Sequence, residues 1–212
     1  GKYRTTMYLM VCAIISGTSL VQTASAQEMS AVELIRRIET QYQGESSRGI
    51  SRMTVATKRW TREMTMEMWS KGRDRFLVRI LTPKKDEGVA SLKIGEEMWN
   101  YLPNIDRLVK IPSSMMGESW MGNHLTNDDL VKEDQVDELY TLSMNTKGKI
   151  AEITGIPKSN AAVVWGKIVY AVDLDRLIPL SIRYYDESGA LVRTMTFDRT
   201  ERIAGRWIPM RM

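Results

Sequence analysis

The spacing of apolar residues from Ile50 onward constrains the fold more than any other feature of the chain. Apolar side chains recur at every second position in one short segment after another, and turn signals such as Pro83 and Gly189 separate the segments. This period of two is typical of β-strands whose two faces have different environments. The segments predicted as strands are 50–55, 62–69, 76–81, 92–94, 98–102, 107–111, 139–144, 149–156, 163–172, 179–185, 190–197 and 207 onward.

The connections between these segments are mostly turns, and no strand–helix–strand spacing appears. The turn Asp186-Glu187-Ser188-Gly189, for example, predicts a hairpin because its glycine can adopt a positive φ. The sequence therefore predicts a mainly β (α+β) domain of about ten antiparallel strands, a number at which a sheet must curl or split into two layers.

One amphipathic helix is predicted before the first strand. Ser30 and Glu33 form a capping box, and Gly44 ends the helical pattern. Since the segments that follow are strand-like, the apolar stripe of this helix is expected to pack on the sheet. The stripe consists of Ala31, Leu34, Ile35, Ile38 and Tyr42.

Residues 1–26 have the pattern of a secretory signal peptide. Lys2 and Arg4 precede a mostly apolar stretch, and Ala24-Ser25-Ala26 is a small-residue cleavage motif. The alternative is an uncleaved membrane anchor, but the apolar run of about 15 residues is short for a transmembrane helix. We therefore expect export to the periplasm, no stable membrane insertion after cleavage, and a mature domain of residues 27–212.

The net charge and the cysteine content argue against nucleic-acid binding and against thiol or disulfide chemistry. The net charge of +4 falls to +2 without residues 1–26, which hold two basic and no acidic side chains, and no block of five Lys or Arg occurs. This excludes a nucleic-acid-binding surface of the usual kind. The single cysteine, Cys12, lies in the segment expected to be removed, so the mature chain can form no disulfide and has no reactive thiol.

The sequence carries no catalytic or metal-binding signature. His124 is the single histidine, and although Ser119, Asp128 and Asp129 are near it in sequence, no nucleophile-elbow pattern accompanies them. One histidine and two adjacent aspartates are too few for a metal site, and no phosphate-binding or dinucleotide-binding glycine motif appears. We predict neither a cofactor nor an enzyme, and a hydrolase at His124 remains the least favoured hypothesis.

A loop rich in apolar side chains follows the predicted strand at 107–111. Met115, Met116, Trp120 and Met121 lie among glycines and serines, and side chains of this size on a loop are expected to be buried against the sheet. Next to it, Thr126 and Asp129 form a potential N-cap pair, with Asn127 and Asp128 as helix-start residues. We predict a lid made of this loop and a short helix.

Seven stretches of the chain resemble the LolA-like superfamily of outer-membrane lipoprotein-sorting proteins, and the resemblance covers essentially all of residues 27–212. These stretches are 73–83, Met98-Trp99-Asn100-Tyr101-Leu102-Pro103, Ser114-Met115-Met116-Gly117, 126–130, 172–179, 182–189 and Gly205-Arg206-Trp207-Ile208-Pro209.

The resemblance implies a single, strongly curved antiparallel sheet that forms an incomplete β-barrel, with helices on its concave side around an apolar cavity for acyl chains. Because the sequence stops within the strand-like run 207–212, we expect the C-terminal strands of such a barrel to be missing. Carriers of this superfamily take lipoproteins from an inner-membrane transporter to an outer-membrane acceptor, and a charged residue latches their lid. No motif assigns that role to a residue here.

We therefore predict a carrier for acyl chains of lipoproteins or of another envelope lipid. The alternative is an interaction module with a solidly packed sheet, which docks on an envelope transporter through its apolar loop. Methionine suits a carrier because its unbranched side chain repacks around variable apolar partners. The residues predicted to contact lipid are Met64, Met66, Met68, Phe76, Val78, Trp99, Tyr101, Met115, Met116, Trp120 and Met121.

Overall fold

The computed structural model describes residues 29–56, 59–122, 125–132, 135–203 and 205–211. Contacts divide the chain into a unit of residues 1–30 and a unit of residues 31–212, and the fold is that of the second unit. The predicted signal peptide, residues 1–26, lies outside the described residues, as does His124.

The N-terminal helix, α1, spans Ala31–Gln43 and confirms the predicted amphipathic helix. Leu34, Ile35 and Ile38 are buried on its apolar stripe. Gly44 ends the helix with φ +59°, and its N–H donates to the carbonyl of Thr40 at 2.9 Å. Glycine adopts this left-handed conformation without steric cost, which explains why the helical pattern stops there.

Six antiparallel strands form sheet 1, and each strand pairs with its neighbour in the sequence. The ordered meander follows from the short turns between strands, because a turn of a few residues returns the chain beside the strand that it has just left. The strands are β1 Ser46–Ala56, β2 Thr61–Lys71, β3 Arg75–Thr82, β4 Ala90–Ile94, β5 Glu97–Leu102 and β6 Arg107–Lys110.

Five further strands form sheet 2 in the order β11-β10-β9-β8-β7, and the last two strands form a separate hairpin. The predicted turn at Asp186 joins β10 to β11, with Gly189 at φ +84°. The strands are β7 Tyr140–Lys147, β8 Ile150–Pro157, β9 Lys167–Asp173, β10 Ile178–Tyr185, β11 Leu191–Thr196, β12 Asp198–Ile203 and β13 Arg206–Arg211.

The segment between the two sheets adds no strand to either of them in its described part. Residues 111–139 contain single 3₁₀ turns at Ser113–Met115 and Trp120–Gly122, helix α2 at Asn127–Lys132 and helix α3 at Val136–Leu139. Helix α2 confirms the short helix predicted next to the apolar loop.

The mainly β class is confirmed, but the expectation of a single, strongly curved sheet is wrong. The described strands form open antiparallel sheets of six, five and two strands. Strand β6 has four residues, all exposed, and no further strand occurs in the described part of 111–139 before β7 begins the other sheet at Tyr140. This long non-strand segment leaves β6 and β7 as edges of different sheets, so the ladder does not continue from one sheet to the next.

Candidate functional site

One face of sheet 1, called here the inner face, carries a continuous apolar cluster. The strand register places Met53 opposite Met64 and Met66 opposite Ile80. Because side chains alternate along a strand, the even-numbered residues of β2 and β3 therefore share this face. The buried members of the cluster are Val55, Met64, Met66, Val78, Ile80, Met98, Trp120 and Val131.

Described residues of the range 111–132, called here the lid segment, cover this cluster. Trp120 is 3% exposed, and its indole N–H donates to the Ser91 hydroxyl oxygen at 2.9 Å. The Ser91 hydroxyl in turn donates to Oδ1 of Asn100 at 2.6 Å. A buried indole must satisfy its N–H, so these two polar side chains on the inner face set the position at which the tryptophan can dock.

Arg62 ties the lid segment to sheet 1. Its Nη1 donates to the Met121 carbonyl at 3.0 Å, and its Nη2 pairs with the Asp86 carboxylate at 2.6 Å. Met121 has φ +52°, a conformation that costs energy for a residue other than glycine. The arginine thus stabilises the carbonyl of a strained residue within the lid segment.

The start of helix α2 confirms the predicted N-cap pair. The Thr126 N–H donates to Oδ2 of Asp129 at 2.7 Å, and the Asp129 N–H donates to Oγ1 of Thr126 at 3.0 Å. This reciprocal pair is a capping box, which satisfies two backbone donors that the first turn leaves unpaired.

Asp129 also pairs with Arg193 of strand β11. Arg193 Nη1 and Nη2 lie 2.7 and 2.9 Å from the two carboxylate oxygens, and the two side chains are 11% and 12% exposed. The Trp165 indole donates to the same carboxylate at 2.9 Å. Burial acts to raise the pKa of Asp129, but hydrogen bonds from Arg193, Thr126 and Trp165 outweigh it and hold this pKa below its usual range.

The Arg193 guanidinium contacts two aromatic rings whose centres are 5.2 Å apart. Its central carbon is 4.0 Å from the centre of the Tyr184 ring and 4.7 Å from that of the Trp165 ring. Tyr184 is its cross-strand neighbour on β10. Cation–π attraction therefore adds to the ion pair. The arginine joins the lid helix α2 to sheet 2.

A second ionic cluster surrounds Asp137 of helix α3. Its carboxylate accepts from Arg73 at 2.6 Å and from Arg36 at 2.7 Å, and its side chain is fully buried. Arg73 also lies 3.0 Å from Glu39 of helix α1. Burial acts to raise the pKa of Asp137, but the two arginines outweigh it and lower this pKa. The β2–β3 turn is thereby joined to both α1 and α3.

A cavity of about 70 Å³ lies between helix α2 and sheet 2. Sites for drug-sized ligands have volumes of roughly 300–1,000 Å³, so the closed arrangement does not accommodate an acyl chain there. Burial raises the pKa of Tyr140 above its ordinary value, with further contributions from Asp128 and Asp129. The lining combines apolar and charged side chains: Leu125, Asp128, Asp129, Leu130, Lys132, Val136, Tyr140, Val163, Trp165, Ile168, Tyr170, Tyr184, Arg193 and Met195.

The structure brings most of the predicted lipid-contacting residues together. Met64, Met66, Val78 and Trp120 are buried in the inner-face cluster, and the half-buried residues Met68, Phe76, Met116 and Met121 pack against it.

Three predicted residues lie outside the inner-face cluster. Met115 is 47% exposed in a 3₁₀ turn. Trp99 and Tyr101 are on the opposite face of β5, because Met98 occupies the inner face and side chains alternate. Lys110 lies 5.6 Å from the centre of the Trp99 ring, and the Tyr101 hydroxyl donates to Asp106 at 2.9 Å.

Sequence reasoning missed several residues of this site. Ile80 and Met98 had a detectable signal, since both lie in predicted strands with alternating apolar residues. Arg193 had none, because its partner Asp129 is 64 positions away in the sequence.

Two features of the described ranges bear on other classes of function. Among those residues, no group of three or more His, Cys, Asp or Glu side chains is arranged to hold a metal ion. In the same part of the chain, no helix has both the length and the apolar composition needed to cross a membrane.

A family model with the description "-like: Uncharacterized protein" matches residues 72–212, about two thirds of the chain. The chain belongs to this family. No curated protein sequence matches the chain significantly.

Solved structures show that this family member has the LolA-like fold. A domain assigned to outer membrane lipoprotein-sorting proteins, from Vibrio parahaemolyticus, is 22% identical with a TM-score of 0.72, over 84% of this chain and 81% of that one. A DUF1329 family protein from Desulfovibrio piger is 24% identical with a TM-score of 0.75, over 84% and 81%. A LolA superfamily protein from Nitrosomonas europaea is 16% identical with a TM-score of 0.66, over 85% and 82%.

Proposed function

We propose that the protein is a periplasmic carrier that holds acyl chains of a lipoprotein or another envelope lipid between sheet 1 and the lid segment. The observation that carries this proposal is the methionine-rich inner face, covered by a loop instead of a second sheet. Met64, Met66 and Met98 line the face, and Met116 and Met121 approach from the lid. Flexible thioether side chains on both sides repack around acyl chains of different shape.

Binding of an acyl chain requires the lid side chains to leave the inner face. Trp120 and Val131 fill the closed cluster, so the chain takes the place of their apolar surface. Each methylene moved out of water contributes about 0.8 kcal/mol. About ten methylenes would therefore contribute roughly 8 kcal/mol, from which the free energy of the displaced lid contacts is subtracted.

One ionic contact within the lid segment and another just after it are suited to latch the closed lid. Arg193 holds Asp129 at the start of α2, and Arg73 holds Asp137 in α3. Both join the segment between the sheets to a strand or turn, and neither belongs to the apolar cluster. A donor that breaks these contacts opens the lid without disrupting the sheets, since ion pairs are lost within a small displacement.

Transfer in this proposal needs no covalent chemistry, cofactor or enzyme activity. An inner-membrane transporter supplies the acyl chains, the closed lid shields them from water, and an outer-membrane acceptor with higher affinity removes them. The direction follows from differential affinity alone. The LolA-like fold supports this sequence of steps.

The test uses a photoreactive diacyl lipid and protein purified without detergent. Native mass spectrometry and organic extraction first identify any lipid bound to the protein as the cell produces it. The photoreactive lipid is then offered, and the labelled residues are mapped. Labelling is expected at Met64, Met66 and Met116, because their side chains are in or against the inner-face cluster.

Met115 provides a matched control beside Met116. The two residues are adjacent in the lid segment, but Met115 is 47% exposed and Met116 packs against the cluster. A photo-crosslinking amino acid at position 116 should capture lipid, and the same residue at 115 should capture much less. Equal capture at both positions, or a protein that stays empty when offered lipid and lipopeptide, would contradict the carrier.

One observation favours the alternative of a packed docking module. The cavity on the sheet 2 side is about 70 Å³, and the inner face of sheet 1 is filled by the protein's own side chains. The lid tryptophan points inward, however, and is 3% exposed. A docking loop would need this side chain outside, so the carrier accounts better for its position.

A further inference from the structure

The face of sheet 1 opposite the inner face, called here the outer face, presents a row of apolar side chains between two cations. The strand register aligns one residue from each of six strands directly across the sheet. At a strand spacing of about 4.8 Å, the row is about 24 Å long. In order from β1 to β6 it consists of Arg48, Trp69, Leu77, Leu92, Trp99 and Lys110.

Each tryptophan of this row has a cation over its ring. Arg48 and Arg79 lie 5.7 and 5.4 Å from the centre of the Trp69 ring, and Lys110 lies 5.6 Å from that of Trp99. Both tryptophans are half-buried, so part of each ring is accessible to a partner. Indole rings beside basic side chains are typical of the water–bilayer boundary, where the ring lies at headgroup depth and the cations meet phosphate groups.

Exposed aliphatic side chains continue this surface around the row. Ile50 is 72% exposed, Leu108 is 60% exposed and Ile94 is 47% exposed. Ile50 and Leu108 are at opposite ends of the adjacent cross-strand row. Since they lie on the face that does not carry the apolar cluster, core packing does not account for them.

The outer face is also where positive charge accumulates. It has six basic and three acidic side chains, an excess of three, whereas residues 27–212 as a whole have a net charge of +2. The rest of that segment is therefore slightly acidic. The basic residues are Arg48, Arg52, Lys71, Arg75, Arg79 and Lys110, and the acidic ones are Glu63, Glu67 and Glu97.

We propose that the outer face of sheet 1 docks the protein on the surface of a bilayer that contains anionic phospholipid. The aromatic row enters the headgroup region, and the surrounding cations bind the negative surface. This interaction is separate from the acyl-chain site, because it uses the other face of the same strands. It would hold the protein on the membrane without insertion of a helix and leave the lid segment, which covers the inner face, directed away from the bilayer.

The test is flotation of the purified protein with vesicles of phosphatidylcholine alone and of an equimolar mixture with phosphatidylglycerol. The protein is used as the cell produces it, with its mass measured to define the N-terminus. Binding to the anionic vesicles, weakened by salt, is expected. Each basic residue near an anionic surface contributes about fivefold in affinity.

A variant with Lys71→Gln, Arg75→Gln and Lys110→Gln should therefore bind anionic vesicles about 100-fold more weakly. These three side chains are exposed and avoid the arginines that pair with buried Glu67. The control variant makes the same change at three exposed positions of other sheets and turns: Lys147→Gln, Lys149→Gln and Arg199→Gln.

Loss in the outer-face variant with retention in the control would support the docking surface, provided that both variants unfold at the wild-type temperature. Equal losses in both variants would show a general charge effect and overturn the proposal. Equal binding to both kinds of vesicle, or binding to neither, would also overturn it. Binding to neither would indicate that the outer face contacts a protein partner instead.

Discussion

Breaking the contact between Arg193 and Asp129 should cost far more stability than breaking a typical surface ion pair. Both side chains are nearly buried, and the carboxylate also accepts from Thr126 and Trp165. Removal of one partner leaves the other charged and desolvated, which costs about 3–5 kcal/mol. Arg193→Met also loses the cation–π contact with Tyr184, so its loss of stability should be at the upper end of this range.

Asp129→Asn should fall at the lower end of that range, because asparagine keeps an oxygen that can accept from the Thr126 N–H. The double variant Arg193→Met/Asp129→Asn should cost less than the sum of the two single variants, by up to about 3 kcal/mol. For a domain of this size, each kcal/mol shifts the unfolding midpoint by about 2–4 °C. The single variants should therefore unfold roughly 10 °C below the wild type.

The assay is urea unfolding followed by circular dichroism, with thermal unfolding as a second measurement. Lys149→Gln is the matched control, since it removes an exposed pair with Asp175 whose side chains are 78% and 58% exposed. Exposed pairs contribute about 0–1 kcal/mol. If Arg193→Met costs no more than Lys149→Gln, or if the two single variants add without coupling, the buried latch between α2 and sheet 2 is refuted.

Two further predictions concern backbone packing and pH. Gly166→Ala should destabilise the fold by about 1–3 kcal/mol in urea unfolding, because its Cβ would lie 2.6 Å from the Asp186 carbonyl oxygen, whereas Gly49→Ala meets nothing within 4 Å and should be nearly neutral. Asp129 and Asp137 have lowered pKa values, so their ionised forms stabilise the fold at pH values above the unfolded-state pKa of about 3.9. The free energy of unfolding should therefore decrease as the pH is lowered further below about 3.9. Burial raises the pKa of Asp128 despite the opposing effect of Lys132. Protonation of Asp128 should therefore first increase stability as the pH is lowered towards about 4. A free energy of unfolding that does not change with acid would contradict the pKa shifts of all three aspartates.

The features that could be predicted from the sequence are those encoded by neighbouring residues. The capping box of Thr126 and Asp129 and the end of α1 at Gly44 were both confirmed. In each case the hydrogen-bonding partners are three or four positions apart, so local stereochemistry determines the structure. The alternation of apolar residues predicted the individual strands of sheet 1 for the same reason, since the direction of a side chain is a local property of a strand.

Strand β5 shows where alternation is ambiguous. Met98 and Trp99 are both apolar, so the pattern alone cannot tell which of them faces inward. The register places Met98 opposite Lys93, and both are buried on the inner face. Lys93 is accommodated because its Nζ donates to the Arg73 carbonyl at 3.1 Å. Because its ammonium group has this backbone partner, Lys93 can lie on the inner face, although hydropathy would place a lysine on the exposed face. Its cross-strand neighbour Met98 therefore also faces inward, and Trp99 faces outward.

The division into separate sheets depends on contacts between distant residues. Nothing local distinguishes a turn that continues a sheet from a segment that ends it, and β6 reads as one more strand of the meander. The segment after it ends the sheet because Trp120 is buried against sheet 1 while Asp129 pairs with Arg193 of sheet 2. These contacts are tertiary, so the expectation of one curved sheet could not be corrected from the sequence.

Helix α2 connects this division to the proposed function. Val131 is buried in the cluster on sheet 1, and Asp129, two residues earlier, pairs with Arg193 on sheet 2. Since the described strands of the two sheets share no hydrogen-bonded ladder, this helix is one of the links between them. Lifting it therefore removes apolar contacts on one side and a buried ion pair on the other in a single movement. In the proposed carrier, the closed state of the lid is stabilised by these two unlike interactions. A donor would compete with the ion pair first, because the apolar contacts would then be replaced by those of the acyl chain.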